Sequence, residues 1–305
     1  MTAGTRSAPA AANRRIRLGE LEIVALADGA AVSWPEPPAE LFPDVTPAHW
    51  SGLRARHPDL FGADGGWRLD VLCYLIRGPG WNLLVDTGMG PAASGYSTFV
   101  GAAGALPRLL AAEGLGADEV EMVFFTHLHP DHIGWNRIGS GSARRLTFDR
   151  ASYRVPALDW ETFQDPEIEA GAAWPFVADL IDPLAASGRL ALVAAGEEIR
   201  PGVTVVGLPG HTFGHAGLSI SGGGGEALLC GDAFLHPAQV ERPEVTMLRE
   251  MGPAAAIATR RQVLDRVLDR EVVFLGSHFP DFGRLRSTAE GVRWTPLADE
   301  EPVLP

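Results

Sequence analysis

The sequence predicts an α/β fold built on a largely antiparallel or mixed sheet. Three observations predict it. Short apolar stretches of strand character recur along the chain, several separated only by turns. Segments with helical spacing interrupt them, most clearly at 253–269, where Ile257, Val263, Leu264, Val267 and Leu268 recur. Two stretches, "NLLVDTG" and "ALLCGDA", share one pattern, a buried strand ending in Asp beside Gly, which hints that two halves follow one plan.

The elements follow in order. Residues 1–16 are rich in Ala, Pro and Arg and read as a loose tail, without the apolar core of a secretory signal. Residues 17–305 read as a single domain. "ELEIVALA" (20–27) is the first strand. Residues 34–66 are rich in Pro and aromatics, with a helical stretch near 47–56. Long irregular insertions in compact domains serve as lids or binding loops. Packing against a neighbouring subunit is the equal alternative, which makes a homodimer possible. Strands at 70–78 and 81–90 flank the turn Gly78-Pro79-Gly80, a hairpin signal. A helix is expected at 103–113 and a strand at 120–125. Further strands are expected at 145–148, 190–193, 203–208, 217–220, 226–230 and 272–275, and helices at 157–164 and 174–186. The glycine run 222–225 is a hairpin tip; it lacks the Lys-Ser/Thr and the following helix of a phosphate loop.

Composition narrows the function. The chain is 46% hydrophobic and 21% charged, ample for a core and ordinary for a globular protein. Its net charge of −13 argues against nucleic acid and against an anionic membrane as partners. No stretch reaches the length of a membrane helix, so a cytoplasmic location is the expectation. Cys73 and Cys230 sit in apolar strands and read as buried thiols, not as a disulfide framework.

The chemistry is carried by "THLHPDHIGWN" (126–136), just after an apolar run. His127 and His129, at i and i+2 on a loop, can point at one centre. Asp131 and His132 can point at a second one beside it. Imidazole and carboxylate are ligands that suit zinc and its neighbours. Further candidates stand at strand ends: His211 in "PGHTFGH", Asp232 in "CGDAF" and His278 in "GSHFP". Strand ends bring distant residues to one rim, so these side chains can converge.

With "VDTG", "HLHPDH", "PGHTFGH", "GDA" and "GSHFP" in this order, the chain resembles the metallo-β-lactamase superfamily from about residue 20 to 295. The resemblance implies an αββα sandwich of two mixed sheets flanked by helices. It implies a two-metal site in which His127, His129 and His211 hold one ion, Asp131, His132 and His278 hold the other, and Asp232 bridges them. Asp86 would stand behind the ligands and orient an imidazole. Zinc is the first expectation for the two divalent ions, and manganese, iron or cobalt would fit. The implied chemistry is hydrolysis by a metal-bridging hydroxide. Asp131, which could serve as a base in a one-metal enzyme, goes to the second ion.

Within that family, "THLHPDHIGWN", "GDAFLHPAQV" and the Trp-containing strand "GVRWTP" look like the acyl-homoserine-lactonase and organophosphate-hydrolase branch. The expected reaction is lactone or ester cleavage, with phosphotriester cleavage as a side activity. Lactonases of that branch often carry Tyr three residues after the bridging Asp; here Leu235 stands there and His236 follows. Trp135, Phe213, Leu235 and His236 are the candidates to line a small-molecule cleft, with Trp160, Phe163, Trp174 and Phe176 as a further wall. His215 reads as a hydrogen-bonded structural residue, and His49 and His57 as solvent-facing. One alternative is a thioesterase or cyclase for a carrier-bound polyketide, with Arg54, Arg56, Arg144 and Arg145 as a basic rim. A non-catalytic metal-binding module is the last alternative, and the complete ligand set argues against it.

Overall fold

A computed structural model describes residues 14–139, 143–165, 168 and 177–297. Trp174 and Phe176 lie outside the described residues. Numbered in chain order, the first sheet contains β1 (Arg14–Leu18), β2 (Leu21–Ser33), β3 (Arg68–Gly78), β4 (Trp81–Val85) and β5 (Met122–Phe124). After a small ribbon of β6 (Arg137–Ile138) and β7 (Arg145–Leu146), it is completed by β8 (Ser152–Pro156) and β9 (Leu190–Val193). The second sheet runs in sequence order through β10 (Glu198–Arg200), β11 (Val203–Gly207), β12 (Ala216–Gly222), β13 (Gly225–Gly231), β14 (Val272–Gly276), β15 (Gly283–Thr288) and β16 (Gly291–Pro296). Both sheets have seven strands and both are mixed.

The period-2 alternation of the strands builds the layers. Ile23, Leu72, Tyr74, Ile76, Leu83, Val85 and Phe124 of the first sheet meet Val203, Val205, Leu218, Ile220, Leu229, Val273 and Leu275 of the second in one buried cluster. The alternate residues Val24, Leu26, Cys73, Leu75 and Leu84 face outward under helices Leu106–Ala112 and Val177–Ala186. On the opposite side, Leu228, Cys230, Val272 and Phe274 pack against Val263, Leu264 and Val267 of helix Pro253–Val267. The result is helix, sheet, sheet, helix. Each fully buried aliphatic side chain contributes about 1.5–3 kcal/mol of transfer free energy to that stack.

The repeated plan read from "NLLVDTG" and "ALLCGDA" has a counterpart in the strand order. β2, β3 and β4 pair antiparallel, and β4 then pairs parallel with β5. β11, β12 and β13 pair antiparallel, and β13 then pairs parallel with β14. In each half the two parallel strands end at the same rim. Asp86 and His127 follow one pair, and Asp232 and His278 follow the other.

Several boundaries differ from expectation. Arg14, Arg15 and Ile16 already pair in β1, because Arg14–Leu18 finds an antiparallel partner in β2. β2 runs to Ser33, past residue 27, through two register shifts at Gly29. β4 stops at Val85, because Asp86 takes φ 59° and turns the chain out of the sheet. The strand expected at 145–148 is only Arg145–Leu146. The glycine tip is confirmed by the pair Gly222–Gly225. His49 and His57 are half-buried: His49 Nε2 lies 3.0 Å from Glu241, and the His57 ring lies 5.6 Å from that of Trp294.

The segment 34–66 packs on its own domain. Leu41, Phe42, Trp50, Leu53, Leu60 and Phe61 form a separate apolar cluster with Val71, Met89, Tyr96, Leu235 and Met247. That cluster stands at the strand-end rim where the ligand motifs converge.

Candidate metal centre

The seven candidate ligands meet at the rim. His127 Nε2 lies 3.0 Å from His129 Nδ1, which lies 2.9 Å from His211 Nε2. These three nitrogens form one group that could hold a metal ion; Asp131, His132 and His278 form another, and Asp232 joins His127 and His132 in a third. The Oδ2 atom of Asp232 stands among them all. It is 3.2 Å from His278 Nε2, 3.3 Å from His211 Nε2, 3.4 Å from His132 Nε2 and 3.8 Å from His127 Nε2. Asp131 reaches within 3.6 Å of His278 and 3.9 Å of His132.

Hydrogen bonds behind the ligands fix which nitrogen faces inward. Asp86 accepts from Thr126 N and Thr126 Oγ1, both at 2.8 Å, and lies 2.8 Å from His132 Nδ1. A carboxylate there requires Nδ1–H and aims the His132 Nε2 lone pair at the site. Thr126 Oγ1 donates its proton to Asp86, so it accepts from His127 Nδ1 at 3.0 Å and orients that ring likewise. The Asp70 carbonyl does the same for His278 Nδ1 at 2.8 Å. Asp159 ties the loops of the first group together: it accepts from Leu128 N at 2.8 Å and from the Thr212 hydroxyl. Burial pushes the Asp159 carboxyl up to about 7, against the pull of those hydrogen bonds.

His215 is structural, as its sequence context predicts. Its Nδ1–H donates to Leu208 O at 3.0 Å, and its Nε2 accepts from Asp232 N at 3.0 Å. Gly231 makes this approach possible. Its φ is +52°, and a Cβ there would lie 2.6 Å from His215 Nε2. Burial holds the His215 imidazole down at about 4, so it stays neutral.

The donor set fits divalent cations. His127 Nε2, left without a proton by the bond at its Nδ1, and His211 Nε2 both lie at hydrogen-bond distance from His129 Nδ1, a crowding of imidazole nitrogens that a cation between them relieves. His132 Nε2 and Asp232 Oδ1 are buried without a hydrogen-bond partner. Burial drives the His127 and His211 imidazoles well below their ordinary range and His129 down to about 4. Burial also opposes charge on His132, but Asp232, Asp86 and Asp131 outweigh it and raise that imidazole. The cluster is therefore rich in negative charge and seeks cations.

A pocket opens above this floor. Its lining includes His129, Asp131, His211, Asp232 and His278 below, with Trp34, Trp67, Leu69, Tyr96, Leu235, Met247 and Arg249 around them. Its empty volume is about 480 Å³, counting solvent at the mouth. Of the four lining candidates from sequence, Leu235 is here. Trp135 is not: its Nε1 donates to Asp28 at 3.0 Å, and it packs under the first sheet. Phe213 lines a different groove, with Leu158 and Pro209. His236 is buried behind the wall, where its Nδ1 accepts from Ala238 N at 3.0 Å to cap helix Pro237–Glu241. Trp160 packs into the outer core, while Phe163 stands edge-on to His129 at 5.8 Å. Sequence reasoning missed Trp34, Trp67, Leu69, Tyr96, Met247 and Arg249, and the buried acids Asp28 and Asp159. For Asp28 a signal existed, since it is a lone acid inside "IVALADGAAV".

The family model of the metallo-β-lactamase superfamily matches residues 66–278, which span every ligand position. The chain belongs to this superfamily. It is 26% identical over 259 residues to "Probable metallo-hydrolase Rv2300c" of Mycobacterium tuberculosis, covering 75% of this chain and 81% of that one. Among solved structures, the hydrolase AbOPH superposes with a TM-score of 0.80 at 22% identity, covering 96% of this chain and 100% of that one. AidC, a dizinc quorum-quenching lactonase in complex with a product, superposes with a TM-score of 0.76 at 23% identity, over 95% and 98%. The superfamily assignment agrees with the sandwich and with the His/Asp groups described above. No helix among the described residues is long and apolar enough to cross a membrane.

Proposed function

We propose that this protein is a binuclear metal-dependent hydrolase of uncharged lactones or esters. One observation carries the reading: a single carboxylate oxygen, Asp232 Oδ2, lies within 3.2–3.8 Å of four inward-facing imidazole nitrogens drawn from both ligand groups. His127, His129 and His211 would hold one divalent ion, Asp131, His132 and His278 the other, and Asp232 both. Zinc is the first candidate for such a donor set. When bound, such a pair supplies Lewis acidity toward a carbonyl and lowers the pKa of water.

The chain's own residues do the rest. Asp86, Thr126 and the Asp70 carbonyl hold the His132, His127 and His278 imidazoles in their inward tautomers. Trp34, Trp67, Leu69, Leu235 and Met247 line the cavity above the ligands and exclude water from an apolar acyl or aryl group. Tyr96 is buried in the same wall, and its hydroxyl hydrogen-bonds Asp131. Burial and the neighbouring Asp131 push the phenol up, so the hydroxyl keeps its proton and its bond to Asp131.

The thioesterase reading needs a basic rim, and three of its four candidates are engaged elsewhere, with Arg145 exposed. Arg54 stacks on Phe61, Arg56 pairs with Glu241 at 2.7 Å and Arg144 pairs with Asp179. The test is metal analysis of purified protein beside a panel of lactones, aryl esters, thioesters and phosphotriesters. Two metal equivalents per chain and turnover of lactones or esters are expected. Fewer than two equivalents, or a fully loaded protein inert on the whole panel, would refute the reading.

A further inference from the structure

Among the described residues outside the metal-ligand set, one charged side chain lines the pocket, Arg249. Its Nη1 and Nη2 donate to Glu36 at 2.7 and 2.6 Å, and its guanidinium carbon stands 5.8 Å from the centre of the Trp34 ring. Glu36 also accepts from Trp34 Nε1 at 3.0 Å. A guanidinium has five N–H donors, and Glu36 engages two of them. The backbone around Arg249 is fixed. Leu248 N donates to Leu41 O at 2.9 Å, and Met251 N donates to His211 O at 3.0 Å. Glu250, between them, is clamped by the buried Arg260 at 2.6 Å. The guanidinium is therefore held at a set place relative to His211, a third exposed at the pocket wall.

We propose that Arg249 determines specificity by holding an uncharged oxygen acceptor, an amide, ester or phosphoryl oxygen, on the part of the substrate remote from the scissile bond. This rests on the hydrolase reading and adds the substrate class to it. The remaining walls are Trp34, Trp67, Leu69, Leu235 and Met247, which suit apolar matter, and the Tyr96 hydroxyl is committed to Asp131. Trp34 Nε1 is taken by Glu36, so a polar group in the substrate's tail has its charged donor at Arg249, with the unpartnered Trp67 Nε1 as a neutral N–H in the same wall. The acceptor is uncharged because Glu36 already neutralises the guanidinium and would face a second carboxylate across it. A mere latch holding Trp34 in place predicts something different, since breaking it from either side has one outcome.

The experiment uses the metal-loaded full chain and three matched aryl esters whose tails carry no polar group, an amide or a carboxylate. Wild type should prefer the amide-bearing ester. Arg249→Met should lower the amide-to-plain ratio of kcat/KM roughly 10-fold, the scale of one lost hydrogen bond to a charged donor. Glu36→Gln should act in the opposite sense on charge, raising the carboxylate-to-plain ratio by roughly 10-fold. If both variants change all three esters by the same factor, the pair is only a latch and the proposal falls. If no ester is turned over, the hydrolase reading fails separately. Equilibrium binding of a non-hydrolysable amide-bearing ketone then decides: equal affinity for wild type and Arg249→Met overturns the proposal, and roughly 10-fold weaker binding to the variant sustains it.

Discussion

The floor of the pocket and its walls are built by different means. The floor hangs from strand ends, and four of the seven candidate ligands have a hydrogen-bonding partner behind them: Asp86 behind His132, Thr126 behind His127, the Asp70 carbonyl behind His278, and His215 behind the backbone of Asp232. The walls are drawn from separate pieces, Trp34, Trp67 and Leu69, Tyr96, Leu235, and Met247 and Arg249 of the loop 243–251, backed by the apolar cluster of the segment 34–66. They are held by aromatic packing and two ion pairs, Glu36–Arg249 at the mouth and Glu250–Arg260 in the interior. The floor fixes directions, which chemistry needs; the walls fix shape, which selection among substrates needs. Damage to the floor should therefore appear in turnover with the fold intact. Damage to the walls should appear in stability and in the choice of substrate.

The largest effect tests the floor. Asp232→Ala removes the one oxygen shared by both ligand groups. Turnover should fall by a factor on the order of 1,000 or more, since a lost stabilising partner of developing charge alone costs about 100–1,000-fold. Circular dichroism should stay that of the wild type, because the inter-sheet cluster does not include Asp232. A variant that unfolds would show that floor and fold are not separable.

The next effect tests the walls. The Arg260 and Glu250 side chains are both fully buried, and Arg260 also donates to Pro243 O at 2.8 Å and Val245 O at 2.9 Å. Arg260→Met takes the cation from a buried carboxylate and a donor from Pro243 O, with Gln239 Nε2 still donating to Glu250 and Val245 O, and should cost about 3–5 kcal/mol in urea denaturation. Adding Glu250→Gln should recover part of that loss. A cost below about 1 kcal/mol would mean that the loop 243–251 is not held by this pair.

A third prediction concerns pH and the back of the wall. His236 is enclosed by Phe42, Trp50, Phe61 and Trp67, with ring centres 5.3–6.1 Å away. Burial holds its imidazole down at about 3. Below pH 6.5 the unfolded chain takes up a proton that the folded chain refuses, so stability is lost as pH falls through that window. The loss reaches about 3 kcal/mol at pH 4. His236→Asn, whose side-chain oxygen can still cap Ala238 N, should flatten this slope by about one proton in denaturation series between pH 6.5 and 4. An unchanged slope would place the acid sensitivity elsewhere.

The same division explains what the sequence made legible. Ligands belong to two residue types, fall in short motifs and stand after apolar strands, so the seven positions stood out before any coordinates. Asp86 stood out through the resemblance to the superfamily, as the Asp of "VDTG". The walls have no such grammar. Trp34, Trp67, Tyr96 and Arg249 come from four separate pieces, and their convergence depends on how an irregular segment folds over the rim. Trp135 and Phe213 sit next to ligands in sequence yet point away, because neighbours on a tight loop leave on different sides. Asp159 is also invisible, since it resembles any surface aspartate until the two loops that it joins are seen together.

The smallest expected effect separates orientation from mere packing within the floor. Thr126→Val keeps the shape of the side chain but removes the hydroxyl that donates to Asp86 at 2.8 Å and accepts from His127 Nδ1 at 3.0 Å. Asp86 keeps Thr126 N and His132, so the carboxylate stays in place. His127 loses the partner that fixes its tautomer. Such losses cost about 10–100-fold in metal affinity or activity. The variant should need correspondingly more metal for half-maximal loading, with KM for a plain ester little changed. Thr126→Ser should restore loading, since it returns the hydroxyl without the methyl group. If Val and Ser behave alike, the role of Thr126 is packing, and the floor is less dependent on directed hydrogen bonds than its geometry implies.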